Sequence, residues 1–422
     1  MSFLEELAAR RRFGMKPGLA SIRAVCAALG NPERRLRGVV HVAGTNGKGA
    51  VCAILDACLR AAGRSAGRYT SPHLVRLNER FFLDGAPISD AALEAASARV
   101  AAAGRGIPDL TFFEALTAVA FAVYADADPD FAILETGLGG RLDATNVCRP
   151  QLSVVTRIGL DHCDWLGDTV EKIAAEKAGI VKPGVPVVMG RNAESAVAVV
   201  RARAAAVGAP FHYAPDLAGE AEIPADFSLA GAFNRENAVT ALAALKVLGA
   251  SGPRIGPGDC RAGFSRVVWP GRFQRVGRYL VDGAHNPPAA RALAAALAGE
   301  GLRGLTLVCG FCGDKDIDET LRILKPHVAR ALAVRTGNPR SVSPGALAAH
   351  LAALGIPSEP CASLRDALSA AEKPENAGIL VCGSLFLAGE ALVALGGYPW
   401  PADRFDASEL LRPARRATSD ID

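Results

Sequence analysis

Aromatic residues make up only 6% of the sequence, and neither sign of charge is in excess: 47 Lys and Arg face 43 Asp and Glu, a formal net charge of +4. So small a bias over 422 residues leaves no electrostatic footprint for a nucleic-acid partner. The locally basic stretch, Arg412 to Arg416, reads as a solvated end. The amino terminus, Met-Ser-Phe-Leu-Glu-Glu, sets two acids where a secretory signal needs a basic and then an apolar region. Long apolar runs are missing as well. The longest, Ala115 to Ala125, is about half of the ~20 residues that cross a bilayer, and it reads as a buried helix. No membrane partner is expected, and the cytoplasm is the expected location. The ten cysteines are scattered through expected strands and helices, which favours reduced thiols. The one CxxC pair, Cys309 and Cys312, has no second pair at zinc-site spacing and reads as two small residues filling a strand end. There is no short-period repeat and no low-complexity tract.

What is present is ordinary globular material: half the residues are hydrophobic, with 44 Gly and 26 Pro. At roughly 150 residues per domain the chain has room for two or three. The first strong unit is the β-type run Val39 to Val42, then Ala43-Gly44-Thr45-Asn46-Gly47-Lys48-Gly49, then an apolar-periodic helix from Ala50 to about Ala62. Asp130–Leu134, Leu152–Thr156 and Val185–Met189 read as further buried parallel strands. Helices are expected at Asp90–Ala103, Phe113–Ala125, Val170–Ala178 and Asn237–Leu248. Alternation restarts after Trp269-Pro-Gly271, with strands at Tyr279–Asp282, Leu305–Cys309, Ala331–Val334 and Gly378–Cys382. Helices at Pro288–Ala298, Ile317–Leu324 and Pro344–Leu354 separate them. Ser251–Gly277, crowded with Gly, Pro and Arg, reads as a linker.

Gly44 to Lys48 lies where a phosphate loop belongs, between a strand and a helix, so that backbone N–H groups and the helix amino end face an anion. Lys48 would neutralise phosphate charge. The strict Walker pattern is not met, since Val42 replaces its first glycine and Gly49 follows the lysine; a tight glycine turn is the plain structural alternative. Glu135 ends an apolar strand and precedes Thr136-Gly-Leu-Gly-Gly140, a carboxylate at a strand's carboxyl end able to hold Mg²⁺. Asp161 and His162 follow the next strand, at the same edge if the two strands are neighbours. Lys177, by itself, reads as a cation on a solvated helix face, and Ser71 as a turn residue before proline. Arg272, Asp282 and His285 cluster at the start of the second half, where a contribution to a nucleotide site is plausible.

Taken together these blocks resemble the folylpolyglutamate synthase and dihydrofolate synthase family, itself similar to the muramyl ligases of cell-wall synthesis. The resemblance is carried by Met15-Lys-Pro-Gly-Leu19, His41 to Gly49, Tyr69-Thr-Ser-Pro-His-Leu74, Thr111-Phe-Phe-Glu114 and Glu135 to Asn146. It continues through Gly159-Leu-Asp-His162, Glu176-Lys-Ala-Gly-Ile180, Trp269 to Phe273, Asp282 to Pro287, Asp314-Lys-Asp316 and Gly383-Ser384. The blocks run in family order from about residue 15 to 390.

The resemblance implies an α/β architecture: a P-loop-type amino-terminal domain with a mainly parallel sheet (residues 1–276), then a smaller Rossmann-like domain (277–422) that closes over the nucleotide. It implies an ATP-dependent amide ligase that joins L-glutamate to the carboxylate of dihydropteroate or a reduced folate through an acyl phosphate. A monomer is expected. By the same resemblance Lys48, Glu135, His162 and Lys177 are the catalytic group, and Ser71, Glu135 and His162 hold two Mg²⁺ ions. Lys177 matches a lysine that the family carries as a carbamate, which turns a cation into an anion. Asn46, Gly47, Lys48, Gly49, Ala50, Asn237, Arg272, Asp282 and His285 match nucleotide positions, while Gly18, Leu19, Thr111, Leu142, Asp143 and Ala144 match positions near the pterin.

Four positions depart from the family pattern. Ala50 replaces the usual Ser or Thr and removes one hydroxyl contact, Phe233 and Asn234 replace the usual His and Gln, and Ala20 stands where an acid is frequent. Two other functions fit parts of the pattern: a nucleotide-binding regulatory module without ligation, and a muramyl-type ligase with another acceptor. The Met15 to Leu19 and Tyr69 to Leu74 blocks weigh against the second.

Overall fold

Short runs of β-branched and apolar residues become strands wherever both faces are covered, and here they line up in two separate sheets. The computed structural model of the chain describes residues 18–252, 255–313, 315–372 and 378–401. Contacts divide the described residues into two units: one of residues 18–73 with Leu77–Trp269, the other of the residues from Pro270 onward with Leu74–Arg76.

The first unit is built on an eight-stranded sheet of β1 (Val40–Ala43), β2 (Ala66–Tyr69), β3 (Phe81–Leu83), β4 (Ala86–Pro87), β5 (Phe131–Glu135), β6 (Leu152–Val155), β7 (Val187–Met189) and β8 (Phe211–Tyr213). The order is β4-β3-β2-β5-β1-β6-β7-β8. Pairing is parallel from β2 to β8 and antiparallel in the β2-β3-β4 edge. The central strands β1, β5 and β6 are buried at every residue, which is why they read as continuous apolar runs rather than alternations. Val40, Val42, Ile133 and Val154 pack with Val51, Ile54 and Leu55 of the helix Lys48–Ala61. A second cluster joins Val155 and Val187 to Ile173, Ala174 and Ala178 of the helix Val170–Ala178. Thr111 and Thr169 begin their helices by accepting from Glu114 N and Lys172 N, and Glu114 completes a capping box.

The smaller unit carries β9 (Gln274–Val276), β10 (Tyr279–Val281), β11 (Leu305–Cys309), β12 (Val328–Ala333), β13 (Ser358–Pro360) and β14 (Ile379–Cys382), in the order β13-β12-β11-β14-β10-β9. Only the β9–β10 pair is antiparallel. Its core joins Val281, Val308, Leu332 and Val381 to Leu387, Ala391 and Leu392, and takes in Leu74 and Val75 from the distant segment. The α/β architecture with a mainly parallel sheet and a smaller second sheet is as expected.

Two boundaries differ from the sequence reading. The carboxyl-terminal unit begins at Pro270, because β9 pairs with β10 and so belongs with it, ahead of the expected start at 277. The stretch expected to be a linker contains the helix Pro257–Arg266, whose Phe264 is fully buried and whose Gly263 lies against Cys58 of the helix Lys48–Ala61. Pro at its first turn and Asp259 accepting from Gly256 N start a helix that composition alone hid. No helix among the described residues is long and apolar enough to cross a membrane.

Candidate active site

Parallel pairing of β2, β5, β1 and β6 brings their carboxyl ends to one edge of the sheet. That edge therefore receives, in order, Ser71 after β2, Glu135 at the end of β5, the glycine loop after β1, and Asp161 and His162 after β6. β5 and β6 are not neighbours, as the sequence reading had allowed. β1 runs between them, so the glycine loop separates the carboxylate from the imidazole loop.

Gly47 has φ of +86°, in the left-handed region, and a side chain there would come within 2.2 Å of Asn237 Oδ1. The helix then opens at Lys48, and its first N–H groups have no partner inside the helix, which makes an anion site of this end. Asn46, Gly47, Lys48, Gly49, Ala50 and Asn237 are thus gathered in one place. Gly49 is packed beneath Trp269, where an added Cβ would lie 2.2 Å from Cζ2. Lys48 Nζ donates to Gly44 O (3.0 Å) and Thr45 O (3.2 Å) and stands 3.9 Å from Glu135 Oε1. Thr156 underpins the loop from β6: its hydroxyl donates to Asn46 O at 2.8 Å.

Glu135 is buried, with Oε2 accepting from Ser71 N at 3.0 Å. One oxygen is therefore oriented by a backbone donor and the other faces a lysine. The larger surprise is Lys177. Far from a solvated helix face, it is 3% exposed, and its Nζ donates to Gly44 O at 2.9 Å. Burial, and then the charge of Lys48, lowers its pKa from 10.5 to about 7. A helix whose opposite face is solvated concealed this from the sequence, since one apolar face does not say which polar residue turns inward. His162 takes a left-handed φ of +52° and is exposed, with its N–H donating to Asp161 Oδ1 at 3.0 Å. Among the described residues no three His, Cys, Asp or Glu side chains form a metal-holding group. Glu135 and Ser71 do offer adjacent hard oxygen donors, which suit a divalent cation.

The positions expected near a pterin fall close together in the first unit. Phe113 packs on Gly137, next to Thr111 and the turn Ala144–Val147, and the helix Ala20–Ala28, which follows Gly18 and Leu19, packs on both. Met15 to Pro17 lie outside the described residues, as does Asp314. Asp143 is internal rather than open. Its Oδ2 accepts from Gly137 N (2.8 Å) and Leu138 N (2.9 Å), and its Oδ1 from Thr145 N (3.0 Å) and Thr145 Oγ1 (2.5 Å). Burial raises its pKa, and these four bonds oppose that shift. Its visible work is to shape the glycine turn behind Glu135. Thr111 likewise donates its hydroxyl to Glu114.

In the carboxyl-terminal unit, Asp282 is buried and accepts from Phe273 N and Ala284 N, both at 2.8 Å, which holds Phe273 at φ +51°. Arg272 donates to Gly271 O at 2.9 Å, and His285 Nδ1 lies 2.8 Å from Gly283 O. Arg272 precedes β9 while Asp282 and His285 follow β10, and the two segments are tied together by Phe273 N donating to Asp282 and by Gly283 N donating to Gly271 O.

Comparison with known proteins adds to this geometry. The family model of the Mur ligase middle domain matches residues 42–189, and that of the Mur ligase glutamate ligase domain matches 271–385. The dihydrofolate synthase/folylpolyglutamate synthase of Mycobacterium tuberculosis is 36% identical over 443 residues, covering 91% of either chain. The chain belongs to the dihydrofolate synthase/folylpolyglutamate synthase family. Two solved members share its fold along nearly the whole length. Escherichia coli FolC in complex with DHPP and ADP superposes with a TM-score of 0.84 at 33% identity, covering 94% of this chain and 98% of its own. The bifunctional Yersinia pestis synthase complexed with AMPPNP and Mn ion gives 0.81 at 32%, covering 91% and 94%. Within this family the glycine loop, Glu135 and Lys177 of the present chain sit on the domain that the Mur middle-domain match spans.

Proposed function

We propose that this chain is an ATP-dependent ligase that joins L-glutamate to the carboxylate of dihydropteroate, of a reduced folate, or of both, releasing ADP and phosphate. Membership of the family and the nucleotide complexes of its relatives support the reaction class. The observation that carries the reading is the single sheet edge on which the phosphate loop, Lys48, Glu135, Ser71 and buried Lys177 meet.

In this reading the acceptor's carboxylate oxygen attacks the γ-phosphorus of ATP, and the bond to ADP breaks. The glutamate amine then attacks the acyl carbon, phosphate leaves, and the amine proton passes to solvent or phosphate. The helix amino end at Lys48 binds the phosphates, and the Lys48 ammonium exchanges its carbonyl partners for phosphate oxygens, screening two anions from each other. Glu135 and Ser71 would hold Mg²⁺, with His162 completing the set; bound there, the cation supplies charge neutralisation at the transferring phosphoryl group. Lys177, at a pKa of about 7 through burial and the charge of Lys48, presents enough neutral amine near neutral pH to take up CO₂ as a carbamate. Its nitrogen adds to the carbon of CO₂ and loses a proton to solvent. Arg272, Asp282 and His285 contribute to nucleotide binding, Asp282 through the turn it shapes. Gly18, Leu19, Thr111 and Leu142 to Ala144 serve the pterin side, with Asp143 as the brace of that wall. The enzyme acts as a cytoplasmic monomer.

The test is ADP release with Mg²⁺ and bicarbonate present, measured with dihydropteroate and with tetrahydrofolate, each with and without L-glutamate. Release that requires both acceptor and glutamate supports the proposal; no release with either acceptor overturns it.

A further inference from the structure

The phosphate loop is fastened to the stretch that leaves β6 by more bonds than a passing contact needs. Thr45 N and Asn46 N both donate to Arg157 O, at 2.8 and 3.2 Å. The Thr45 hydroxyl donates to Gly159 O at 3.0 Å and accepts from Gly159 N at 3.1 Å, so one side chain occupies both backbone polar groups of one residue. From the other side, Asn192 Oδ1 accepts from Ile158 N at 2.7 Å, and its Nδ2 donates to Thr156 O at 3.1 Å. Residues 156–159 are therefore fixed on two flanks. Beyond them the chain turns outward: Leu160 is 48% exposed, and His162 follows in the left-handed conformation.

Gly159 is the last such anchored point before Asp161 and His162, and its anchor comes from the phosphate loop itself. We propose that Thr45 is a positioning residue whose hydroxyl sets the Asp161–His162 loop in register with the phosphate loop, so that metal and nucleotide sites keep their spacing. The proposal rests on the reading of His162 as a metal ligand. The chemistry needs a short side chain that donates and accepts at one atom, which Thr and Ser provide and isosteric Val does not. Groups that orient a metal's ligands typically change metal affinity about 10–100-fold when removed.

The test uses the full-length enzyme and reads two quantities: the Mg²⁺ concentration for half-maximal ADP-forming turnover, and calorimetric ADP affinity in EDTA. Thr45→Val should raise the Mg²⁺ requirement about tenfold, a larger factor than any accompanying loss of metal-free ADP affinity. Thr45→Ser should restore the wild-type requirement, and Thr45→Ala carries the same expectation as Val without its branched stem. In a His162→Ala background, adding Thr45→Val should shift the requirement no further, because Thr45 acts through that loop. An unchanged Mg²⁺ requirement in both Thr45→Val and Thr45→Ala overturns the proposal, as does an equal loss of ADP affinity in EDTA. So do shifts that simply multiply in the double variant. If His162→Ala itself keeps the wild-type requirement, the metal reading of His162 falls and the proposal falls with it. A shift in His162→Ala with none in the Thr45 variants removes the positioning role alone.

Discussion

Replacing Lys177 by Met separates two consequences of burying an amine. Burial, reinforced by the Lys48 charge, puts the folded-state pKa at about 7 against 10.5 for an ordinary lysine. At pH 7 about half of the folded molecules then carry a neutral amine, roughly a thousandfold more than for an unperturbed side chain. Because the folded pKa lies below the unfolded one, the unfolded chain binds an extra proton between about pH 7 and 10.5, and stability rises with pH across that window. It stops falling once the pH drops below 7 and both states are protonated. Between pH 6 and pH 9 the contribution is about 3 kcal/mol. Urea unfolding in CO₂-depleted buffer over that range should show this rise in the wild type, over and above the slope of Lys177→Met. Equal slopes in the two proteins refute the burial argument. The chemical arm uses ¹³C-bicarbonate at pH 8. A carbamate resonance in the wild type, lost in Lys177→Met together with turnover, is expected; turnover that is indifferent to CO₂, with no such resonance, refutes the carbamate.

Other substitutions probe the same edge. Glu135→Gln keeps the size but removes the charge that Ser71 N orients, and should lower turnover roughly 10²–10³-fold with ADP binding in EDTA retained. Gly49→Ala drives a methyl group against the ring of Trp269 and should cost about 1–3 kcal/mol in unfolding free energy, with a higher Michaelis constant for ATP. Asp143→Ala strands the N–H groups of Gly137, Leu138 and Thr145, and should destabilise the chain by about 3 kcal/mol in urea unfolding. Ala50→Ser returns a hydroxyl to the first turn of the helix and should lower the Michaelis constant for ATP or raise the rate; no change in either shows that the hydroxyl is dispensable.

Much of this architecture was legible in the chain, and the reasons are local. The strands β1, β5, β6 and β11 are buried on both faces, so their apolar runs stand out, and the glycine loop between β1 and its helix carries its own backbone logic. Short strands were harder. Ala66–Tyr69 contains Arg68, which is buried over Phe82 with a partner in Asp56, so the polar letter hides a core strand. Phe211–Tyr213 is only three residues long at a sheet edge. Strand order is not written in any one segment, and so the insertion of β1 between β5 and β6 needed the structure. The site was read in its parts but not in its depths. Glu135 and Lys48 announce themselves by position at a strand end and in a glycine loop. The burial of Lys177 and the internal bonding of Asp143 depend on tertiary contacts with Gly44 and Gly137. Thr45, Thr156 and Asn192 escape sequence reasoning because hydroxyl and amide side chains in loops carry no periodic signal, although Thr45 sits inside the motif itself.

In the proposed reaction one sheet edge transfers phosphate to an acyl acceptor and then lets glutamate displace it. Time-resolved ADP formation with dihydropteroate and with tetrahydrofolate, in parallel with and without L-glutamate, tests it most directly. Steady ADP release is expected only when acceptor and glutamate are both present, and its loss is expected in Lys48→Ala. Tight ATP binding with no turnover on either acceptor would contradict it.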